Sequence, residues 1–382
     1  MAKVKTIVLG SGLVGSAMAI DLAKDERFQV TVADLNAKRF DRLTAFPIQT
    51  LTSDLGKAAL VKKAVAQHDL VINALPGHIG FRTFRAVIEA GKNIVDIAFF
   101  PEDPFELDNL AWEKGVMAVM DCGVAPGLSN ILVGYASNRL DETTSVEIYV
   151  GGLPVVREWP YEYKIVFSPY DVIEEYTRPA RYVQNGFLVI RPALSEPEFF
   201  NFPGIGTLEA FNTDGLRTLI KTIKAPNMKE KTLRYPGHIE KMEILRETGF
   251  FGKEPIEVNG VPVRPLDFTA KVLFPKWELK AGEEDLTVLR VIVHGRKGKK
   301  RLKYSYDLID RFDQATGTTS MARTTGYTAT VVARMMVEGI CQRKGVFPPE
   351  FIGQSPDCVK FLRKGLAERN IHLTETVTEL RT

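Results

Sequence analysis

The first third of the chain alternates short β-rich apolar runs with amphipathic stretches of helical period. The amphipathic stretches, such as residues 55–67 and 79–90, predict helices, and the second is followed by Gly91, a common residue at helix C-termini. The apolar runs predict six strands, at Thr6–Gly10, Gln29–Asp34, Ile48–Leu51, Asp69–Leu75, Asn93–Phe99 and Val116–Cys122. This alternation is typical of an α/β architecture with a doubly wound parallel sheet.

The rhythm changes after about Gly127, and the next part of the chain is predicted to form an α+β domain. A helical pattern at 129–140 is followed by longer strand-like stretches that are rich in aromatic residues and proline. These stretches are Val146–Val150, Phe187–Arg191, Val261–Pro265 and Leu286–His294. Their pattern predicts an open mixed sheet.

A third pattern occupies the C-terminal part. Met321–Ile340 is Ala-rich, free of proline and apolar with helical period, so a long helix is expected there. The segment from Phe361 onward predicts a helix followed by a short polar end. We therefore expect a dinucleotide-binding domain at 1–125, a substrate and dimerisation domain at 126–320, and C-terminal helices at 321–382 that pack back on the first domain.

Composition and charge place the chain among compact globular proteins. Its 382 residues exceed what a single core usually supports, and 45% of them are hydrophobic and 25% charged. With 50 basic and 47 acidic residues the net charge is +3, too even a balance to indicate a nucleic-acid partner. The dense basic run at 296–303 is interpreted as a solvated hairpin tip rather than a phosphate-binding patch.

The cysteines and the lack of a long apolar segment indicate the cellular compartment in which the protein is expected. Cys122, Cys341 and Cys358 lie far apart in the sequence and lack metal-ligand spacing, so neither a disulfide framework nor a metal site is expected. No apolar stretch approaches the roughly 20 residues that cross a bilayer, and the N-terminus leads directly into a strand. We expect a cytoplasmic protein with no metal and no membrane partner.

The turn after the first predicted strand carries glycine at three places. Gly10, Gly12 and Gly15 have the spacing that permits a tight turn, a close approach of the backbone to a pyrophosphate, and close packing of helix on strand. The next helix would begin at Leu13 and Val14, where free N–H groups and the helix dipole favour an anion. Because the glycines follow a strand and open a helix, we predict that this turn binds a dinucleotide.

Asp34 stands at the end of the second predicted strand, about twenty residues after the glycines. Its carboxylate would accept hydrogen bonds from the adenosine ribose hydroxyls and repel a 2′-phosphate, which favours NAD over NADP. The same side chain could instead cap the next helix. Lys38 and Arg39 also lie close by in sequence, although a following helix would turn them outward. We predict NAD as the cofactor and leave NADP open.

Ligands of such sheets bind beyond the carboxyl ends of the strands, so residues that follow the later strands are further candidates. Those expected to contact the cofactor are Asn73, Ala74, Leu75 and Pro76. Asp96, after the next strand, could accept a proton from the reacting group, and so could His78, whose ordinary pKa lies nearer neutrality. For both residues a loop cap or a supporting hydrogen bond is an equally good interpretation.

A rigid turn at 123–127 follows the sixth predicted strand. It could present backbone N–H groups, including that of Gly127, to a substrate carboxylate, or it could simply link the domains. The neighbouring Cys122 lacks an evident base in the sequence. We therefore interpret it as a small buried apolar residue rather than as a nucleophile.

Three segments of the second domain combine the polar side chains that an amino-acid substrate needs. They contain Tyr163, then Glu209 and Thr213, then Arg234 and His238. Arginine suits a carboxylate, whereas acids, tyrosine and hydroxyl groups suit an ammonium. Ordinary turn chemistry in loops would account for the same residue types, so both interpretations stay open here.

Taken in order, these motifs resemble the saccharopine dehydrogenase and reductase superfamily, and within it the lysine 6-dehydrogenases. The segments that carry the resemblance are 8–15, 71–75, 95–96, 121–127, 149–154, 206–211 and 234–238. The glycine fingerprint is common to many families. The Ala-Pro-Gly turn, the Gly-Gly-Leu-Pro run and the Leu-Glu-Ala-Phe segment in one order are much more specific.

The resemblance implies a Rossmann domain completed by a C-terminal helix, an inserted α+β domain and a homodimer or homotetramer. It also implies NAD-dependent oxidation of L-lysine, or a lysine-like amine, at the ε-carbon. For proton handling it suggests Asp96 and His238. For substrate binding it suggests Gly127, Tyr163, Glu209, Thr213 and Arg234.

Two departures from the lysine dehydrogenase pattern keep other substrates open. Pro76 follows the fourth strand, and 98–100 reads Ala-Phe-Phe where a small glycine-rich turn is expected. One alternative is a secondary amine such as saccharopine or carboxynorspermidine, whose second carboxylate could use an arginine such as Arg157, Arg178 or Arg217. Another is a protein that binds NAD without turnover.

Overall fold

The computed structural model describes residues 2–381 and divides into two compact units. The first unit comprises the chain up to Asp141 together with Met321–Thr374, and the second comprises Glu142–Ser320 with the residues from Glu375 onward. The second unit is therefore an insertion in the sequence of the first. The division after Asp141 lies later than the expected boundary at 125, and the last strand leaves the first unit.

The elements of the chain up to Asp141 alternate as the pattern predicts. They are β1 (Val4–Leu9), α1 (Leu13–Ala23), β2 (Phe28–Asp34), β3 (Ile48–Thr52), α2 (Ala58–Val65), β4 (Leu70–Asn73), α3 (Gly77–Glu89), β5 (Asn93–Asp96), α4 (Asp108–Glu113), β6 (Met117–Val119) and α5 (Leu128–Asn138). Two short 3-10 helices lie at Ala37–Leu43 and Pro104–Leu107. All six predicted strands form. Strands β4 to β6 end two or three residues early, because the mostly apolar residues that follow them, beginning at Ala74, Ile97 and Met120, lie in loops outside the sheet.

The inserted part of the chain contains longer strands and short helices. They are β7 (Glu142–Pro154), α6 (Pro169–Thr177), β8 (Ala180–Gln184), β9 (Phe187–Arg191), β10 (Glu198–Phe202), β11 (Gly206–Asn212), α7 (Leu219–Thr222), β12 (Asn227–Arg234), α8 (His238–Glu247), β13 (Ile256–Val258), β14 (Val261–Val263), α9 (Pro265–Trp277), β15 (Asp285–Lys297) and β16 (Lys300–Arg311). The strand predicted up to Pro265 is shorter than expected, because that proline begins α9.

The remaining elements are α10 (Ser320–Val337), β17 (Gly345–Phe347), α11 (Pro349–Gly353), α12 (Pro356–Ala367) and β18 (Thr374–Leu380). The long helix α10 and the later helix α12 confirm the two C-terminal helices of the pattern. The prediction of a short polar end was wrong, since β18 is a strand. Its alternating threonine and acidic residues gave no apolar signal.

The sheet of the first unit has seven strands in the order β17-β6-β5-β4-β1-β2-β3, and every pairing is parallel. Ile7, Val71 and Ile94 from its strands share one buried cluster with Val65 of α2 and Phe84 of α3. The doubly wound α/β prediction is confirmed. The seventh strand, β17, was not predicted, because three residues are too few to carry a period.

Close backbone contact explains why α5 belongs to the first unit. A Cβ on Gly134 of α5 would overlap the backbone of Glu350, and one on Gly353 of α11 would overlap the backbone of Ile131. Only glycine permits two helices to approach this closely. The pairing of α5 with α11 therefore fixes α5 to the segment that returns from the C-terminal part of the chain.

The sheet of the second unit is mixed, as predicted. Its main path is β10-β11-β12-β7-β15-β16-β18, with β8 paired to β12 and β9 to β8. Strand β12 runs parallel to β7, whereas β15 runs antiparallel to both β7 and β16. The turn between β15 and β16 lies in the basic run at 296–303, with Gly298 at φ +58°, so the hairpin prediction is confirmed.

Aromatic side chains dominate the core beside this sheet. Tyr163, Tyr176, Phe211 and Trp277 belong to one buried cluster to which α6, α8 and α9 also contribute. Among residues 2–381, no helix is both long enough and apolar enough to cross a membrane.

Candidate functional site

Two of the three fingerprint glycines are required by contacts within the first unit. Gly10, directly after β1, has φ +101°, and a Cβ there would lie 2.8 Å from the backbone oxygen of Ala74. A Cβ on Gly15, in the first turns of α1, would overlap the carbonyl oxygen of Gly10. These glycines therefore let β1, the loop after β4 and α1 meet at backbone distance.

The middle glycine is different, because space rather than contact surrounds it. Gly12 is the N-cap residue of the 11-residue helix α1, no side chain caps that end, and a Cβ on Gly12 would have no atom within 4 Å. Leu13 and Val14 begin the helix. An uncapped helix N-terminus with open space in front of it suits a pyrophosphate, so these residues fit the group that the sequence predicts.

The carboxylate of Asp34, at the end of β2, is held in a fixed orientation beside this turn. Its Oδ2 accepts a hydrogen bond from Ser11 N at 2.7 Å, and its Oδ1 accepts one from Asn36 N at 2.8 Å. The residue is buried. Ser11 lies between the first two glycines, so the acid expected to bind the ribose is joined to the turn expected to bind the pyrophosphate.

The expectation that the nearby basic residues turn outward was wrong for Arg39. Its Nη1 lies 3.4 Å from Asp34 Oδ2, although 56% of its side chain stays exposed. A 3-10 helix rather than an α-helix follows β2. A guanidinium next to the ribose carboxylate is a group that could also pair with a 2′-phosphate.

Asn73 and Asp96 link the ends of β4 and β5. Asn73 Nδ2 donates to Asp96 Oδ2 at 2.7 Å, and Ala98 N donates to Asp96 Oδ1 at 2.5 Å. Asn73 Oδ1 accepts from Leu75 N at 3.3 Å, and Pro76 is the N-cap of α3. Both oxygens of the buried Asp96 are thus already hydrogen-bonded, and they set the course of the loops that follow these strands.

The other candidates of the first unit have plain structural surroundings. His78 is exposed in the first turn of α3. Gly127 has φ +134°, and its N–H donates to Asn130 Oδ1 at 3.2 Å, so the N–H expected to face a substrate carboxylate already has a partner in α5. Complete burial raises the pKa of the Cys122 thiol, which agrees with its interpretation as a small buried residue.

Arg234 is the centre of a buried polar cluster in the second unit. Only 2% of its side chain is exposed, and its Nη2 lies 2.5 Å from Glu175 Oε2. The guanidinium lies 4.6 Å from the ring centroid of Tyr163, whose hydroxyl is buried without a hydrogen-bond partner among the described residues. The cation is therefore stabilised by one carboxylate and by an aromatic face.

The hydrogen bonds of His238, the first residue of α8, define its tautomer. Its Nδ1 lies 2.9 Å from the Tyr161 carbonyl oxygen, which can only accept, so Nδ1 carries the proton. Nε2 then accepts from the hydroxyl of Tyr176 at 3.0 Å, and Tyr176 in turn accepts from Arg234 Nε at 3.4 Å. Burial and the charge of Arg234 lower the pKa of His238 to about 3, so the ring is neutral.

Thr213 and Glu209 contact other parts of the same unit. The hydroxyl of Thr213 donates to Glu230 Oε2 at 2.5 Å and lies 2.9 Å from that of Thr232. Burial raises the pKa of Glu230 to about 8, and the neighbouring acids Glu175 and Asp214 add to the effect. Glu209 Oε2 accepts from Gly237 N at 3.0 Å, next to His238.

The structure thus brings Tyr163, Arg234 and His238 together, with Glu209 joined to the residue before His238. Sequence reasoning missed Glu175, Tyr176 and Glu230. A buried arginine needs an acidic partner, so the sequence could have indicated that one of its acids pairs with Arg234. The sequence does not show which acid that is. Among residues 2–381, no group of three or more His, Cys, Asp or Glu side chains could hold a metal ion.

The parallel sheet, the open helix N-terminus and the carboxylate beside it define a dinucleotide-binding protein. Residues 6–119 match the saccharopine dehydrogenase NADP binding domain, and residues 123–371 match the saccharopine dehydrogenase C-terminal domain. The chain belongs to the saccharopine dehydrogenase family. It is a nicotinamide-dependent oxidoreductase of the saccharopine dehydrogenase type.

Several characterised proteins are similar to this chain over much of its length. Carboxyaminopropylagmatine dehydrogenase of Synechocystis sp. is 25% identical over 95% of this chain and 96% of that protein. Saccharopine dehydrogenase (NADP(+), L-glutamate-forming) of Schizosaccharomyces pombe is 22% identical over 90% of this chain and 93% of that protein. The alpha-aminoadipic semialdehyde synthase of Mus musculus is 27% identical over 69% of this chain, which spans only 30% of that protein.

A solved structure shares the fold along the whole chain. Apo histidine-tagged saccharopine dehydrogenase (L-Glu forming) from Saccharomyces cerevisiae has a TM-score of 0.79 and 18% sequence identity, covering 98% of this chain and all of the other. The expected combination of a Rossmann domain with an inserted α+β domain is therefore confirmed.

Proposed function

We propose that the chain oxidises the ε-carbon of L-lysine, or of a lysine-like amine, with NAD as the preferred hydride acceptor. The observation that carries the proposal is the charge of the polar cluster in the second unit. Its central arginine, Arg234, is already paired with Glu175, and Arg181 pairs with Asp214 through two bonds of 2.8 Å. The buried acid Glu230 lies in the same unit. Both arginines are thus neutralised by acids, and Glu230 releases its proton only above about pH 8, so these residues favour a cationic substrate over one rich in carboxylates.

Two of the three arginines that a second substrate carboxylate could use, Arg157 and Arg178, are also paired with acids. Arg157 Nε lies 2.5 Å from Glu162 Oε2, and Arg178 Nη2 lies 3.5 Å from Glu174 Oε2. A substrate with two or three carboxylates would have to compete with these acids, at the cost of separating charges that are partly buried. Lysine, with one carboxylate and two amines, makes no such demand.

The reaction that we propose requires a neutral amine. Bound NAD supplies a nicotinamide ring that accepts a hydride from the ε-carbon. Loss of the hydride and of one N–H proton converts the carbon–nitrogen bond to an imine. Water then adds to the imine carbon, and ammonia leaves with formation of the aldehyde. From the neutral amine, the products are the semialdehyde, ammonia, NADH and one proton.

The chain's own residues contribute binding and orientation. Asp34 would hold the adenosine ribose, the start of α1 the pyrophosphate, and Asn73 to Pro76 would border the cofactor. Gly127, Tyr163, Glu209, Thr213 and Arg234 stay our candidates for substrate binding. The acceptor atoms of Asp96 and His238 are occupied by Asn73, Ala98 and Tyr176, so we propose that both act as positioning residues.

Oxidation of a secondary amine is the second candidate function. It is supported by the full-length similarity to carboxyaminopropylagmatine dehydrogenase and to the yeast saccharopine dehydrogenase. Agmatine-type substrates are cationic, so the neutralised arginines of the second unit disfavour them no more than they disfavour lysine. The two candidates differ in the product, because a secondary amine yields an aldehyde and a primary amine without free ammonia.

The deciding experiment follows NADH formation at 340 nm at alkaline pH with L-lysine, ornithine, saccharopine and carboxynorspermidine, and repeats each with NADP. Lysine-dependent NADH with one equivalent of ammonia supports the lysine proposal. Turnover of a secondary amine alone contradicts the lysine proposal and supports the second candidate function. Bound NADH without turnover of any of the four amines contradicts both.

A further inference from the structure

Two of the three cysteines lie beside each other, although they are far apart in the sequence. Cys341 follows the end of α10, and Cys358 lies in the first turn of α12. The Cys358 thiol donates to the carbonyl oxygen of Ile340, the residue before Cys341, at 3.7 Å, and the interaction of the two thiols shifts their pKa values in opposite directions. Both cysteines are reduced and buried, and both belong to the first unit.

The start of α12 and the contact with Cys341 favour the thiolate of Cys358, whereas burial and its hydrogen bond to Ile340 oppose it. Ser355 caps the 12-residue helix α12, and its hydroxyl oxygen accepts from Cys358 N at 3.4 Å, so the sulfur lies at the positive end of the helix dipole. The contact with Cys341 and the hydroxyl of Ser355 lower the pKa of Cys358, although burial and the carboxylate of Asp357 oppose them. The same contact raises the pKa of Cys341, which makes it the thiol that keeps its proton.

The turn that carries Cys341 gives small molecules a short route to the pair. Cys341 itself is 8% exposed, and the neighbouring residues Gly339, Gln342, Arg343 and Lys344 are exposed. The turn follows a helix end that Gly339 closes at φ +70°. Helix ends of this kind open locally at low free-energy cost, so an oxidant need not wait for global unfolding.

We propose that Cys341 and Cys358 are a redox modification site that forms a reversible intramolecular disulfide when it meets hydrogen peroxide. The Cys358 thiolate attacks one peroxide oxygen, the O–O bond breaks, and the sulfur becomes a sulfenic acid while hydroxide leaves and is protonated to water. The Cys341 sulfur then attacks the Cys358 sulfur, the S–O bond breaks, and a second water leaves. Two thiols and one peroxide thus yield one disulfide and two waters, and an added dithiol reverses the reaction.

The third cysteine provides an internal control. Cys122 is completely buried, and the carboxylates of Asp121 and Asp96 add to the burial that raises its pKa. Peroxide should therefore leave Cys122 as a thiol over the time in which the other two cysteines react.

The test treats the full-length protein with hydrogen peroxide, blocks the remaining thiols with iodoacetamide and analyses intact mass and tryptic peptides. The expected result is the loss of two hydrogen atoms per chain, one cross-linked peptide pair containing Cys341 and Cys358, and one alkylated cysteine, Cys122, after denaturation. Dithiothreitol should restore all three thiols. Cys122→Ser should give the same cross-link.

The single variants distinguish a disulfide from simple oxidation. Cys341→Ser should leave Cys358 as a sulfenic acid that dimedone traps, and Cys358→Ser should slow the oxidation of Cys341 by about tenfold or more, since the reactive thiolate is gone. Oxidation of wild type to a sulfinic acid without a cross-link would overturn the proposal. So would equal rates at all three cysteines, or disulfides only between chains.

Discussion

The dinucleotide turn of the first unit and the polar cluster of the second unit are built in opposite ways. The turn uses backbone: Gly10 and Gly15 set its shape, Gly12 leaves space in front of α1, and two backbone N–H groups hold the buried carboxylate of Asp34. The cluster uses side chains: Arg234, Glu175, Tyr176 and His238 hold one another. A site formed by backbone atoms keeps its shape when nearby side chains change. A site formed by buried charges is destabilised when any one of its partners is removed.

The two sites therefore differ in how far apart their members lie in the sequence. Gly10, Gly15 and Asp34 are neighbours along one βαβ segment. The cluster draws on α6, on the end of β12 and on the start of α8. Short-range spacing can be recognised in a sequence, but the choice of a distant counter-charge cannot.

The largest expected effect in the charged cluster is the pH dependence of folding stability that arises from Glu230. Its folded-state pKa of about 8 lies above the ordinary value of 4.5, so the folded protein binds a proton that the unfolded chain has released. The stability from this group is complete below about pH 4.5 and is lost as pH rises through 8. Since one pKa unit corresponds to about 1.4 kcal/mol, the effect amounts to several kcal/mol.

Glu230→Gln mimics the protonated acid, so the variant should gain thermal stability over wild type progressively from pH 5 to pH 8.5. Calorimetry at several pH values measures this difference in stability. The pH dependence that arises from His238 is present in both proteins and therefore cancels. Glu257→Gln, on the exposed strand β13, is the matched control and should track wild type. Parallel stability curves for Glu230→Gln and wild type would contradict the raised pKa.

Removing one member of the buried ion pair should have the next largest effect. Glu175→Gln leaves the guanidinium of Arg234 in the interior without its carboxylate, and we expect a loss of about 3 kcal/mol in the free energy of unfolding. This is the lower end of the usual range, because 20% of the Glu175 side chain is exposed. Urea unfolding measures the loss.

The double variant Glu175→Gln/Arg234→Met makes this test specific. With both charges gone, most of the stability should return, since an apolar replacement of a buried pair is often neutral. If the double variant is no more stable than Glu175→Gln, the pair is not what stabilises the cluster.

The backbone site is tested by two glycine variants that differ only in position. In Gly15→Ala the new Cβ would overlap Gly10 O, which should cost about 1–3 kcal/mol of stability and raise the Kd for NADH about tenfold or more. In Gly12→Ala the Cβ meets no protein atom within 4 Å, so stability should change little while the affinity for NADH still falls. Fluorescence titration and thermal unfolding separate the two effects.

The smallest expected effect concerns the choice of cofactor. Asp34→Ala should weaken NAD binding about tenfold, or about 1.4 kcal/mol, and improve NADP relative to NAD, because Arg39 then faces a 2′-phosphate without a competing acid. Arg39→Ala in the Asp34→Ala background should remove the gain for NADP. The ratio of kcat/KM for the two cofactors is the measurement, and an unchanged ratio in Asp34→Ala would show that the carboxylate does not discriminate.

Sequence pattern was sufficient for the first six strands and for the dinucleotide turn, whereas six strands of the inserted part were not predicted: β8, β10, β11, β12, β13 and β16. Strands β1 to β6 all lie within a few residues of their predicted positions, and Phe187–Arg191 is a strand with the predicted bounds. Elements of few residues or of polar composition escaped prediction, as β17 and β18 did. Periodicity needs several residues and a contrast between apolar and polar faces, and neither strand offers both.

The sequence by itself determined the order of elements up to α5, the glycine turn and the acid at the end of β2, because these depend on contacts between residues close along the chain. Tertiary structure decided which acid neutralises Arg234, which nitrogen of His238 carries the proton, and that Cys341 and Cys358 meet. Each of these is a contact between residues far apart in the sequence. Burial removes water from both partners, so each polar group must find its partner within the fold. Such pairs cannot be recognised from composition or spacing, because only the folded chain brings their members together.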